Sequence, residues 1–130
     1  MNIKFNGIAV KYNEIKTKKE TVNKPILELA KTDKYITIIM VDPDAPTKEI
    51  HTNRYWLHWL IINNDKTINE YNGPNPPIKS GNHRYFILIF EQDNKINLDN
   101  EIPRAKFNLM KFIEINKLKL ITYIKFNVIG

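Results

Sequence analysis

The chain has no cysteine, which excludes disulfides, thiolate metal ligands and a cysteine nucleophile. That absence fits a reducing compartment. Ser80 is its only serine, and Ile78-Lys79-Ser80-Gly81 lacks the G-x-S-x-G form of a nucleophile elbow. A triad of Ser80, His83 and an aspartate would need a coincidence of loops. Glycine is scarce, 4 in 130 residues, and dispersed, so there is no phosphate-cradling glycine loop. No Asn-x-Ser/Thr acceptor is present. Met1 to Asn6 lacks the apolar stretch of a signal peptide. The longest apolar runs, such as Trp56 to Ile62, contain His58 and are too short to span a bilayer. These absences together point to the cytoplasm.

A chain of this length suits one domain, residues 1–130, that buries roughly two-thirds of its unfolded surface. The net charge is +6, carried mainly by lysine, with arginine only at positions 54, 84 and 104. The lysines are scattered, with one short run at Lys16-Thr17-Lys18-Lys19. Nucleic-acid binders cluster their cations and favour arginine for bidentate contacts, so no nucleic-acid partner is expected. A basic skin still favours anionic membranes or phosphorylated partners.

Hydrophobic spacing is mostly of period two. Ile3 and Phe5, then Ile8 and Val10, flank Asn6-Gly7 as two strands around a turn. Lys16 to Asn23 is polar, and an extended segment restarts at Ile26 to Leu29. Tyr35 to Val41 is β-branched and nearly all apolar, the mark of a central strand. Tyr55–Ile62 and Tyr85–Phe90 repeat that composition, and Leu118 to Val128 alternates as a long strand with one more polar face. Only Arg104 to Ile115 carries helical spacing. The pattern predicts an all-β, sandwich-like domain with one short helix near 105–115.

Chemistry concentrates at two places. Val41-Asp42-Pro43-Asp44-Ala45-Pro46 ends a strand with two prolines, which stop sheet pairing and hold the carboxylates rigidly. Gly81-Asn82-His83-Arg84-Tyr85 supplies donors at the start of another strand. Asp44 suits either a pocket role or a simple Asx turn, whereas Asp42, directly behind the strand, suits a pocket. His58 sits between Leu57 and Trp59. Such a histidine reads alone as a core residue and with His83 as part of a donor-rich pocket for phosphate or carboxylate oxygens. Of the two tryptophans, one is expected in the core and one at the site. His58, His83 and Asp42 also form a chemically reasonable metal set, but without the short spacing of a metal motif.

The two motifs resemble the signature regions of the phosphatidylethanolamine-binding proteins. The likeness continues through Leu57-His58-Trp59-Leu60, through Tyr71-Asn72-Gly73-Pro74-Asn75-Pro76-Pro77, through Phe90-Glu91-Gln92 and through Lys4 to Val10. It covers essentially the whole chain. The family includes a kinase inhibitor, plant flowering-time regulators and a carboxypeptidase inhibitor.

The resemblance implies an antiparallel Greek-key β-sandwich with a small anion pocket. Carried over residue by residue, that pocket is Asp42, Ala45, Pro46, Trp56, His58, Pro76, Gly81, His83 and Tyr85. His58 and His83 would donate to the anion, Asp42 would orient a histidine, and Tyr85 would add a hydroxyl. Pro46, Trp56 and Pro76 would form the wall. Cis peptide bonds are implied at Ala45-Pro46 and Arg54-Tyr55. Two departures stand out. Tyr55 replaces a glutamate common in the family, which puts the cis bond before it in question. The chain also stops at Gly130, where many animal members add a helix beside the pocket, so a more open site is expected. The compact form and the AT-rich residue usage point to a viral or parasite source, hence host cytoplasm.

The function expected is non-enzymatic: a module without cofactor or metal that binds a phospholipid headgroup or phosphorylated residue. It would regulate a kinase or similar partner, with peripheral membrane contact. The alternative is a protease or hydrolase inhibitor, or a weak metal-dependent hydrolase using the same His/Asp cluster.

Overall fold

A computed structural model describes all 130 residues. Nine strands run in chain order: β1 Asn2–Phe5, β2 Ile8–Ala9, β3 Glu14–Lys16, β4 Ile26–Glu28, β5 Tyr35–Asp42, β6 Trp56–Ile62, β7 Lys66–Asn69, β8 Asn82–Gln92 and β9 Lys119–Ile129. One helix, α1, spans Leu109–Ile115, and a 3-10 turn covers Lys19–Thr21. The fold is all-β, as the periodicity predicts. The helix is shorter than expected at its start. Arg104 instead lies along β6, where its Nη1 donates to the Leu57 and His58 carbonyls and its own carbonyl accepts from Leu57 N. Asn108 then caps α1, its side chain accepting from Lys111 N at 3.1 Å.

A small sheet has the order β2-β1-β4, and a large one the order β3-β9-β8-β5-β6-β7. Asn6 and Gly7, at φ 52° and 80°, join β1 to β2 in the left-handed geometry of a tight hairpin. The order β8-β5-β6-β7 is that of a Greek key, with the fourth strand returning beside the first. All pairings are antiparallel except β3 with β9, which is parallel. Both β3 and β7 are short, and neither carries a hydrophobic pattern in the sequence.

Alternation sends the central strands' side chains to two opposite faces. One face packs Met40, Trp59, Tyr85, Ile87 and Phe126 against Ile3 and Phe5 of the small sheet. The other packs Ile39, Val41, Leu57, Leu88 and Phe90 against Phe107, Leu109 and Leu118. Each buried aliphatic or aromatic side chain contributes about 2 kcal/mol of transfer free energy.

One irregularity positions the site. Met40 pairs with Trp59 but Val41 pairs with Leu57, so His58 is an extra residue in β6. This β-bulge turns the consecutive His58 and Trp59 toward the same face. Trp59 therefore packs into the core, and His58, equally buried, sits beside it against Tyr85 on the side of the sheet's end.

Candidate functional site

β6, β5 and β8 lie side by side, and their ends at Trp56, Asp42 and Asn82 meet at one edge of the fold. Asp42, Trp56, His58, His83 and Tyr85 there line a cavity of about 290 Å³, with Ala45, Pro46 and Pro76 from the connecting loops. Eight of the nine residues named from sequence thus share one cavity. Gly81 does not line it. At φ +86° it forms the turn into β8, and its carbonyl accepts from Gly130 N at 2.8 Å. Asn53, Asn72, Gly73, Asn75 and Pro77 also line the cavity and were not named. Asn72 to Pro77 fall in the proline-rich segment matched to the family, where only Pro76 carried a role. Ala45-Pro46 and Arg54-Tyr55 are both cis, so Tyr55 is compatible with that geometry.

The hydrogen bonds fix where protons reside. His58 Nδ1 lies 2.5 Å from the Asn72 carbonyl, which can only accept, so Nδ1 carries the proton. Burial lowers the His58 pKa to about 4, against a smaller raising effect of that carbonyl, and the ring is neutral at pH 7. Its Nε2 therefore presents a lone pair. Since no fully buried polar side-chain atom lacks a partner and Nε2 has none, it opens on the cavity.

His83 is opposite in character. Its Nδ1 meets Asp42 Oδ2 at 2.8 Å and its Nε2 meets Ser80 Oγ at 2.9 Å. Ser80 Oγ also lies 2.6 Å from the Pro77 carbonyl, so the hydroxyl proton goes there. His83 Nε2 must then be the donor to Ser80. That assignment places a second proton on the pair beside the one shared between Nδ1 and Asp42, which the raised pKa of Asp42 favours. The cavity thus has one histidine that accepts and one that donates, rather than the two donors expected from sequence.

Ser80, His83 and Asp42 are strung together after all, contrary to the expectation that only a coincidence of loops would align them. The proton on Nε2 nevertheless points toward the hydroxyl, the reverse of a general base poised to activate it.

The two aspartates have separate duties. Asp42 is buried beneath His83, and burial raises its pKa despite the bonds from His83 and from Asp44 N at 2.6 Å. Asp44 is fully buried. Burial alone would raise its pKa, but Arg84, bound through Nε at 2.9 Å and Nη2 at 2.8 Å, outweighs that and lowers it. Asp44 is thus a strut that ties the β5 turn to β8 through Arg84, neither lining the cavity nor closing an Asx turn. The Asx-type bond is made by Asp42, which accepts from Asp44 N. Burial, reinforced by Asp42, pushes the Tyr85 phenol well above the usual tyrosine range, so its hydroxyl stays a donor. His51 is exposed and lies 3.2 Å from the Lys48 carbonyl, outside the cavity lining. No three His, Asp or Glu side chains are grouped so as to share a metal ion. No helix is long and apolar enough to cross a membrane.

Comparison with known proteins bears on this geometry. The sequence model of the phosphatidylethanolamine-binding protein family matches residues 6–126. The chain belongs to that family. A phosphatidylethanolamine-binding protein homologue of Acanthamoeba polyphaga mimivirus is 43% identical over 118 residues, covering 83% of this chain and 82% of that protein. The TWIN SISTER of FT protein of Arabidopsis thaliana is 35% identical over 125 residues, covering 88% of this chain and 67% of that protein. A Drosophila melanogaster candidate odorant-binding protein is 34% identical over 130 residues, and the match spans 88% of this chain but only 62% of that protein. Among solved structures, carboxypeptidase Y inhibitor, determined with its cognate proteinase, superposes with a TM-score of 0.82 at 21% identity. That match covers 98% of this chain and 81% of the inhibitor. The phosphatidylethanolamine-binding protein of Plasmodium vivax gives 0.78 at 21% identity, over 98% and 83% of the two chains. Those two structures establish a common fold.

Proposed function

We propose that this chain is a non-catalytic binding module whose cavity takes a phosphate-type anion, from a phospholipid headgroup or a phosphorylated residue, and so regulates a signalling partner such as a kinase. The observation that carries the reading is the opposed pair of imidazoles. His83 Nε2, on leaving Ser80, and the Tyr85 hydroxyl, on leaving Asp42, would donate to unprotonated phosphate oxygens. His58 Nε2 offers a lone pair, which suits a P–OH group or the ammonium of an ethanolamine head. Pro46, Pro76 and Trp56 add a wall with few competing donors. Family membership supports the same choice of ligand. The net charge of +6 favours approach to anionic surfaces in the cytoplasm.

The test is a titration with phosphoethanolamine followed by imidazole nitrogen NMR. Both Nε2 resonances should move, His83 as a donor and His58 as an acceptor. Unshifted imidazoles at saturating ligand would overturn the reading.

A second reading, an acyl hydrolase, is favoured by one observation, the alignment of Ser80, His83 and Asp42. It requires covalent labelling of Ser80 by a fluorophosphonate, and the binding-module reading requires none.

A further inference from the structure

A second cavity, of about 300 Å³, opens on the opposite face of the same strands. Val41, Phe86, Leu88 and Leu109 line it, and Val41, Leu88 and Leu109 belong to the core on that face. Arg54, Tyr55 and Arg84 also line it. The two guanidiniums share a single carboxylate. Arg84 grips Asp44 with Nε and Nη2, while Arg54 approaches it only to 3.7 Å and spends its Nε on the Pro43 carbonyl at 2.6 Å. Neither Nη1 has a partner in the chain, and both side chains are about one-third exposed, 33% and 30%. Asp44 is the one carboxylate that either guanidinium contacts. Asp42, engaged with His83, acts on Arg84 only at longer range, so the contacts set two cations against one anion beside an apolar floor. Arg84 also lies 6.0 Å from the centre of the Phe86 ring.

We infer that this cavity is a binding site for a small organic monoanion with an apolar body, an aryl or short-chain carboxylate. The apolar part would rest on Phe86, Leu88 and Leu109. The carboxylate would accept from the free Nη1 groups of Arg54 and Arg84, a charge-assisted geometry that arginine favours. Tyr55 adds an aromatic ring to the lining. The volume lies at the small end for ligand pockets, which suits one ring or a short chain and excludes a long one. The charge excess matches one negative charge, so a monoanion fits better than a phosphate dianion.

The site is separate from the imidazole cavity, so the two stand or fall independently. The experiment is an amide NMR titration of the full chain with sodium benzoate at constant ionic strength, with benzyl alcohol as the neutral probe. Saturable shifts are expected at Val41, Arg54, Phe86 and Leu109, with Gly73 and Asn75 of the first cavity unmoved. Benzyl alcohol should bind about tenfold more weakly, and Arg54→Gln should weaken benzoate by a similar factor. Arg84 is left intact because it clamps Asp44. Absence of saturable shifts at millimolar benzoate, or shifts confined to the first cavity, would overturn the assignment. Equal binding of the alcohol would do the same, without any variant.

Discussion

Acidification should weaken the contribution of His58 to the fold, because its ring is buried neutral. An unfolded histidine titrates near 6.5, and His58 in the folded chain titrates at about 4 because burial disfavours its charged form. Between those values the unfolded chain holds a proton at this position that the folded chain does not. Stability contributed by the neutral ring is therefore complete above pH 6.5, falls as the pH drops towards 4, and is constant below. The difference of about 2.5 pH units corresponds to about 3 kcal/mol. Asp42, whose pKa is raised, acts with the opposite sign: the folded state favours its proton, so stability is regained as the pH falls through its folded value. The measurement must therefore separate the two. Urea unfolding followed by tryptophan fluorescence, for the native chain and for His58→Gln, does so. The difference between the two unfolding free energies should shrink by about 3 kcal/mol from pH 7 to pH 4. A difference independent of pH would refute the claim that His58 is buried as a neutral ring.

His83→Ala removes the donating imidazole and should weaken phosphoethanolamine binding by at least about tenfold, read by calorimetry; unchanged affinity would remove His83 from the site. Ser80→Ala frees His83 Nε2 from its internal partner, so the same titration should show binding tighter by about fivefold, and weaker binding would mean the hydroxyl itself contacts the ligand. Asp44→Ala leaves Arg84 and Arg54 without their shared carboxylate. It should cost about 3 kcal/mol in urea unfolding, and a loss below about 1 kcal/mol would mark an ordinary surface pair instead.

Much of this fold is legible in the chain itself, for a physical reason. β5 and the core of β8 are β-branched and nearly apolar because both faces are covered, and β9 alternates because part of one face is not. What local pattern does not carry is pairing. β3 and β7 exist because a neighbour accepts them, so their own residues are unremarkable. The bulge at His58 arises from a register shift against β5, which no window within β6 displays. α1 starts late because Arg104 has partners on β6. At the site, residue identities were readable but proton positions were not. The accepting nature of His58 depends on the Asn72 carbonyl, and the donating nature of His83 on where Ser80 sends its own proton. Gly81, in the same motif as His83, turned out to serve the backbone path into β8.

The strand order has a consequence for how a ligand would act on the whole molecule. The groups that define the imidazole cavity lie far apart in sequence: Asp42 with His83 is a contact across 41 residues, and His58 with Asn72 one across 14. The first needs β5 aligned with β8 and the second needs the segment after β7 folded back on β6, and closing such loops is entropically costly. No local fragment can therefore hold the ligand. Occupancy would act as a staple on the global unfolding equilibrium, raising it by about 2.7 kcal/mol at a hundredfold excess over Kd. Amides in the middle of β5 and β8 should then gain hydrogen-exchange protection together with those at the cavity rim, making this small cavity a thermodynamic handle on the entire chain.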